Sequence, residues 1–525
     1  DALDLYNTVI LTQDYTAGID DAPLSINKTV TLDLNGHTID RGLKNAEPVL
    51  NGNVITVQKK SGNLTVTDNN INEIGTITGG NNIGNGGGIV NLGKLTVKNG
   101  FISGNTCMEG LVNGKTQYGN GGGIYINDGN AIFHMEGGSV SHNNAQGGGG
   151  GIQGDSYKEF IISGGDIIGN TTVNKGGGIR LKAKSPKISD CMISENIASN
   201  GEHSNGGGIY LEKCTLTIER CIISDNEADL AGGGIFLLDE TTFLNANNVS
   251  ICGNESTTGG CIRMENGAIN AENLTANNNL SKDGDNRVSV DKGTVNIIID
   301  CSIDEGMDNL KDLQDLTANV TFNRTFPVNK KQTVCLPFDP SELNNYGTVW
   351  SFTGIEEGKI VMTKQTVLYD GTPYIFENTT DDEITSILFE NVTFKINEDP
   401  KTEGEGYTFY GTFSIKSWED DDQEVLDKSI YGFMAFDNEG QAQGQFVAAR
   451  WGTDLRPFCA YLKCNTSLTD IEDNSLKAPL RGGIQSVNHP DRLDIVWKGD
   501  DNTTNVNTIH NLANQIVLEQ EDWYS

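Results

Sequence analysis

Tyr125, Arg180, Tyr210, Phe236 and Arg263 are the residues of this chain best suited to hold another molecule, and they share one position. Each directly follows an isoleucine that closes a glycine phrase, in GGGIY, GGGIR, GGGIY, GGGIF and GGCIR. Val90 and Gln153 occupy the same place in GGGIV and GGGIQ. If the isoleucine points into a core, strand alternation sends the next side chain outward. Two positions further on stand Leu92, Asn127, Asp155, Lys182, Glu212, Leu238 and Glu265. One face then carries an aromatic and guanidinium column beside a mixed polar column. Aromatic faces stack on sugar rings, and arginine forks pair with carboxylates. The predicted ligand-binding set is Tyr125, Arg180, Lys182, Tyr210, Phe236, Arg263 and Glu265, facing an extended acidic glycan or a partner protein. The competing reading is that strand surfaces favour Tyr and Phe on their own account, or that another part of the chain covers the face.

Other constellations give less. The six histidines (His37, His134, His142, His203, His489 and His510) show no metal-site spacing, and no nucleophile-elbow phrase is present. His37, in Leu-Asn-Gly-His-Thr-Ile, reads as a turn element. None of the ten cysteines forms a CxxC pair, which argues against structural zinc. No metal site is predicted. The acidic clusters Asp20-Asp21, Asp381-Asp382 and Glu419–Asp422 are solvated loops or, at most, weak calcium sites, and no other cofactor is implied.

The elements that must position the columns follow from the repeat. The isoleucines are Ile89, Ile124, Ile152, Ile179, Ile209, Ile235 and Ile262, spaced by 35, 28, 27, 30, 26 and 27 residues. A second marker, Asn105, Asn143, Asn170, Asn196, Asn226, Asn254 and Asn278, follows each isoleucine by 16 to 19 residues. Periods of this length mean a stacked architecture. Each unit holds short β-rich runs, such as Gly208–Leu211 and Thr215–Ile218, and no amphipathic helix. The predicted fold is all-β, a right-handed parallel β-helix, with coils ~4.8 Å apart and a rise of roughly 34 Å over seven coils. Inward isoleucines would contribute ~1.5–3 kcal/mol each before entropy. Glycines would supply positive φ and close approach, and asparagines a left-handed turn or an amide ladder. Cys191 and Cys221 would stack in adjacent coils, as inward thiols in preference to a disulfide. Alternating runs at Asn7–Thr12, Lys28–Leu34 and Asn63–Thr67 predict irregular opening coils over residues 1–80, then regular repeats over 81–280 and a capping segment over 281–316.

The GGGI phrase followed by Ser-x-Asn resembles the repeats of chlamydial polymorphic outer-membrane proteins, within the pectin-lyase-like β-helix class. It covers about Gly75 to Asn279. Those relatives are surface adhesins, while other β-helices of the class are polysaccharide lyases, hydrolases and phage tailspikes. The polygalacturonase-type run of Asn-Thr-Asp, Asp-Asp, Gly-His-Gly and Arg-Ile-Lys does not occur in order, and Asp500-Asp501 lies far from the repeats.

Composition changes near residue 316. All five tryptophans and eight of the 11 prolines lie beyond it, with only 14 of the 64 glycines, which marks a new domain. Asp304–Asp315, with Leu310, Leu313 and Leu316, predicts a short helix sealing the last coil against exposed strand edges. Alternating runs (Thr333–Phe338, Ile384–Phe389, Val392–Ile396, Tyr407–Phe413, Tyr431–Phe436, Phe446–Arg450, Phe458–Leu462) predict an antiparallel β-sandwich over 317–466. The phrases Phe322–Phe326, Thr333–Phe338 and Arg456–Phe458 resemble a domain of large surface proteins from gut anaerobic Gram-negative bacteria, one with no associated catalytic residues. Residues 467–525 read as a polar tail that resembles the start of a C-terminal anchoring module of those proteins.

A formal charge of -34 excludes nucleic acid and anionic lipid as partners. No stretch is apolar enough to span a membrane as a helix. The chain starts at Asp1 without a signal peptide, as a mature or trimmed form would. The expectation is a monomeric protein, secreted or on the outer surface of a Gram-negative bacterium, binding glycan or a host or surface protein along the β-helix. The alternative is a lyase or hydrolase of an acidic polysaccharide, acting near Arg180, Lys182, Arg263 and Glu265.

Overall fold

The computed structural model describes residues 5–112, 114–284, 287–301, 310–397, 399–419, 422–426, 428–435, 444–450, 453–465 and 489–499. The chain divides into two compact units, one of residues 1–297 and 309–316, the other of 298–308 and 317–525.

The first unit is built from stacked parallel strands, the arrangement of a parallel β-helix. Ten short strands, from Leu24–Ile26 to Val288–Val290, make one sheet. Its register aligns Ile89, Ile124, Ile152, Ile179, Ile209, Ile235 and Ile262, each fully buried. A second sheet of nine two- to five-residue strands runs from Val49–Leu50 to Leu280–Ser281. The third face has two strands per coil, such as Lys94–Val97 and Phe101–Ser103. These fuse into ten-residue strands at Phe243–Cys252 and Ala268–Asn277. The 35-residue spacing between Ile89 and Ile124 has a local cause. An antiparallel hairpin, Gly110–Val112 with Lys115–Gln117, is inserted in that coil. It leaves Leu111 and Tyr118 exposed.

The glycine triplet divides its work. Gly121 takes φ 71°. A Cβ on Gly122 would lie 2.3 Å from the Gly150 carbonyl oxygen, and one on Gly123 would lie 2.7 Å from that of Gly151. The first glycine therefore makes the turn, and the other two let successive coils touch backbone to backbone.

The asparagine marker forms a buried amide ladder. Each Nδ2 donates to the Oδ1 of the asparagine one coil on, from Asn105 through Asn143, Asn170, Asn196, Asn226 and Asn254 to Asn279, at 2.8–3.0 Å. The same Oδ1 also accepts from the backbone N–H of the preceding marker. The left-handed turn belongs to the residue before the marker: Glu195, Asp225 and Asn278 have φ of 57°, 56° and 53°. The seventh marker is thus Asn279 and not Asn278, because a single residue cannot hold both the turn and the ladder site.

The ladder ends on a carboxylate. Asp312 Oδ2 accepts from Asn279 N at 3.0 Å and Nδ2 at 2.9 Å, while Arg287 Nε lies 3.0 Å from Oδ1. Asp312 is buried, in the 3-10 turn Leu310–Leu313, with Leu313 and Leu316 buried beside it. Residues 304–309 of the expected capping helix lie outside the described residues. Asp312→Ala is expected to cost about 2–4 kcal/mol in urea unfolding, because two buried donors lose their acceptor; Asp312→Asn should restore most of it.

Cys191 and Cys221 are buried free thiols in adjacent coils, as are the other eight cysteines free. His37 sits in the first turns, with its Nδ1 3.4 Å from Asp14.

The second unit is antiparallel in the main. One sheet orders Lys331–Val334, Tyr374–Asn378, Gly347–Glu356 and Lys359–Gln365, and a second contains Lys401–Gly404, Tyr407–Gly411, Ala460–Cys464, Ile430–Phe433 and Phe446–Ala448. Trp350, Phe352, Met362 and Ile375 of the first share a core with Phe409, Tyr431, Phe446 and Leu462 of the second. The runs Ile384–Phe389 and Val392–Ile396 join as one strand, Ile384–Thr393, paired with Thr317–Phe326. The strand after Lys331 stops at Val334, three residues before Pro337. Two pieces of the expected tail are structural: Arg492–Leu493 pairs with Phe446–Ala448, and Ile495–Lys498 adds a parallel strand beside Lys359–Gln365. Residues 466–488 and 500–525, including Asp500-Asp501, lie outside the described residues, as does Phe436.

Candidate functional site

The column after the isoleucines is in register from coil to coil: Val90, Tyr125, Gln153, Arg180, Tyr210, Phe236, Arg263 and Ser289 pair in turn. Its side chains point away from the isoleucine core, but most are not open to solvent. Tyr125, Gln153, Tyr210 and Phe236 are all buried, and Tyr210 has no exposed surface. This corrects the expectation of an exposed aromatic strip. The physical reason lies in the turn. A Cβ built on the first glycine of the triplet would lie 2.7 Å from Gln153 Cβ at Gly149, 3.0 Å from Arg180 Cβ at Gly176 and 2.9 Å from Phe236 Cβ at Gly232. The chain folds back over the residue after the isoleucine, and neighbours above and below close the remaining sides.

Within the column the contacts are specific. Tyr210 stacks on Phe236, with centroids 5.1 Å apart and planes 5° from parallel. Tyr125 Oη donates to Asp155 Oδ2 at 2.9 Å, and Gln153 Nε2 donates to Asp155 Oδ1 at 2.9 Å. Arg180 reaches Gln153 Oε1 at 3.5 Å and Glu212 Oε2 at 3.4 Å. Lys182 Nζ lies 3.1 Å from Glu212 Oε1. One polar network therefore joins Tyr125, Asp155, Gln153, Arg180, Glu212 and Lys182 across four coils. Arg263 stands apart from it, donating to Ser289 Oγ and Asp291 Oδ2, both at 2.5 Å. Glu265 is exposed.

Electrostatics follow from this enclosure. Burial pushes up the Tyr125 and Tyr210 hydroxyl pKa values, helped by Asp155 and Glu212 respectively, so both remain protonated. Burial also opposes the Glu212 charge, but hydrogen bonding and attraction from Lys182 and Arg180 win and hold its carboxyl below the usual 4.5. Glu212 is therefore an anchored anion and not a proton donor.

The site residue that the repeat reading passed over is Lys175. It precedes the triplet at Gly176–Gly178, in a column of bridges formed by Asn120, Gly148, Lys175, Asn205 and Ala231. Its Nζ sits 5.0 Å from the Tyr210 ring centroid, and Arg180 Cζ sits 5.9 Å from the same ring. Aligning the residue before each triplet exposes it, since Lys175 is the only charge among Asn85, Asn120, Gly148, Lys175, Asn205, Ala231 and Thr258.

Among the described residues, no three of His, Cys, Asp and Glu gather as a metal site. Two of the acidic clusters serve their own turns: Asp21 accepts from Gly18 N at 2.7 Å, and Asp422 from Glu419 N at 2.8 Å. Among the same residues no helix is long and apolar enough to cross a membrane. Comparison with known proteins finds no matching family model, no matching curated protein and no matching solved structure.

Proposed function

We propose that the chain is a secreted or cell-surface, adhesin-like protein that holds glycan or protein along the outer side of the isoleucine sheet. Its stacked unit would be a right-handed, pectin-lyase-like β-helix with repeats of the chlamydial outer-membrane type. The observation that carries this reading is a contrast between columns. The inward position is isoleucine in seven successive coils, whereas the outward position varies from Val to Tyr, Gln, Arg, Tyr, Phe and Arg, and Tyr125, Gln153 and Arg180 of it join Asp155, Glu212 and Lys182 in one polar network. A purely structural rod has no need for that variation. Lys182, with 41% of its side chain exposed, and Glu265 are the most exposed members of the expected set. A ligand would meet these two first, and not the faces of the buried rings.

The test is surface plasmon resonance against panels of glycans and of host surface proteins. Saturable binding by the wild type, weakened at least about tenfold in Lys182→Ala/Glu265→Ala, is the expected result. Binding unchanged in that folded double variant overturns the reading. Removing Tyr125, Tyr210 and Phe236 together is the wrong experiment. Buried aromatic truncations cost about 3–5 kcal/mol each and would report unfolding.

A lyase of acidic polysaccharide is the second reading, favoured by Lys175. Burial, with Arg180 adding to it, lowers the Lys175 pKa from 10.5, the direction a general base requires. Release of unsaturated sugar by the wild type, abolished in Lys175→Met, would establish it.

A further inference from the structure

Three hydrogen-bond donors belong to side chains grouped around the Tyr210 ring. Tyr210 Oη and Arg180 Nε are buried and have no hydrogen-bond partner among the described residues. Among the described residues Lys175 Nζ forms no ion pair within 4.0 Å; it lies over the Tyr210 ring, and Glu212 and Glu265 act on it only from further away. Glu212 does not fill the gap, because it is engaged by the far end of the Arg180 guanidinium and by Lys182. Unpaired buried polar groups oppose folding, so two of them beside a partly exposed ammonium need an explanation.

We propose that Lys175, Arg180 and Tyr210 form a subsite for one oxyanion, a carboxylate or sulfate, carried on a glycan. The proposal rests on the reading of this face as a binding surface, and adds to it a residue and a ligand chemistry. Two ammonium groups and a guanidinium here are local exceptions on a chain of formal charge -34. An oxyanion accepts from a guanidinium Nε, a phenol and an ammonium together, which is the pattern of charge-assisted recognition. Gly148 lets the neighbouring backbone pack directly against Arg180 and Gln153. A Cβ at Gly148 would lie 3.0 Å from both Arg180 Cδ and Gln153 Oε1. Lys175 is partly exposed and Lys182 more so, which gives the ligand its approach.

A glycan fits this face better than an acidic peptide. The strands are paired on both sides, coil to coil, so no free backbone edge invites strand addition. The cations are sparse, and Asp155, Glu212 and Glu265 flank them in the next column. A densely anionic peptide would meet those carboxylates. A sugar chain places one anion among neutral hydroxyls, which pair with carboxylates and amides.

The experiment is calorimetric titration of the full chain with four six-sugar probes and one peptide. The probes are a heparin fragment, a polygalacturonate fragment (carboxylate only), a dextran sulfate fragment (sulfate only) and maltohexaose (neutral), beside hexaglutamate. At least one charged sugar should bind about tenfold tighter than maltohexaose, and the two single-anion probes show which oxyanion is preferred. Lys175→Gln should remove that advantage. Tyr210→Phe should weaken charged-sugar binding about fivefold, the loss of one hydrogen bond, with no fall in melting temperature, because the lost hydroxyl had no partner. Equal binding of charged and neutral sugars, untouched by Lys175→Gln, sinks the subsite and leaves the binding face standing. No binding of any sugar sinks both. Hexaglutamate binding with the same dependence on Lys175 would replace the glycan with an acidic protein segment and overturn the proposal.

Discussion

Asn196→Ala is expected to destabilise the β-helix by about 3–5 kcal/mol, measured by urea unfolding. The side chain is fully buried and makes four hydrogen bonds. Its Oδ1 accepts from Asn170 N and Asn170 Nδ2, both at 3.0 Å. Its Nδ2 donates to Asn226 Oδ1 and to the Ile167 carbonyl, both at 2.9 Å. Truncation leaves the Asn170 backbone N–H without an acceptor, in a place water does not reach. It also interrupts a chain of polarised amides running to Asp312. A surface ladder of the same chemistry provides the control. Asn270 Nδ2 donates to Asn245 Oδ1 at 2.8 Å, but Asn270 is exposed. Asn270→Ala should stay within about 0.5 kcal/mol of the wild type, since water replaces the lost bond. Equal effects at the two sites would mean that burial does not set the strength of the ladder.

Gly177→Ala is expected to be at least as severe, about 4 kcal/mol or loss of folded protein. A Cβ there would lie 2.4 Å from the Gly207 carbonyl oxygen and 2.6 Å from Ile197 N. Both are backbone atoms of the following coil, so no side chain can swing away. Relief requires separating two coils, which weakens their parallel pairing along the whole rung. Gly284→Ala separates this from the effect of φ alone. Gly284 has φ 74° and open space around it, so alanine should cost about 1 kcal/mol. Comparable losses at both glycines would show that coil contact is not the determinant.

Much of the stacked unit was legible because its signals are periodic. Isoleucine phase gave the register of seven coils, and the observed pairing of Ile89 through Ile262 follows it rung by rung. The fixed distance to Asn105 and its counterparts located the ladder. It failed by one residue at the run Asn277-Asn278-Asn279, where identity cannot distinguish the turn from the ladder site. Parity also predicted which side chains leave the core. It did not predict their exposure, since exposure depends on what the turn at Gly149, Gly176 or Gly232 folds over. Lys175 was missed for a related reason. It lies before the triplet, in a position that alternation within the strand does not reach, although its charge stands out once the copies are aligned. In the second unit the core strands were visible as alternating runs. The added strand Ile495–Lys498 was not, because four residues in a polar stretch carry too little pattern.

The proposed division of the repeat, an inner ladder that builds and an outer face for binding, is tested most directly by hydrogen exchange with a bound oligosaccharide. The probe is whichever of the heparin, polygalacturonate or dextran sulfate fragments binds tightest. Added protection is expected at Ile152–Ser156, Ile179–Lys182 and Ile209–Glu212, and in the segment around Lys175, with the ladder asparagines unchanged. Protection confined to the third face, at Phe243–Cys252 and Ala268–Asn277, or to the second unit would contradict it.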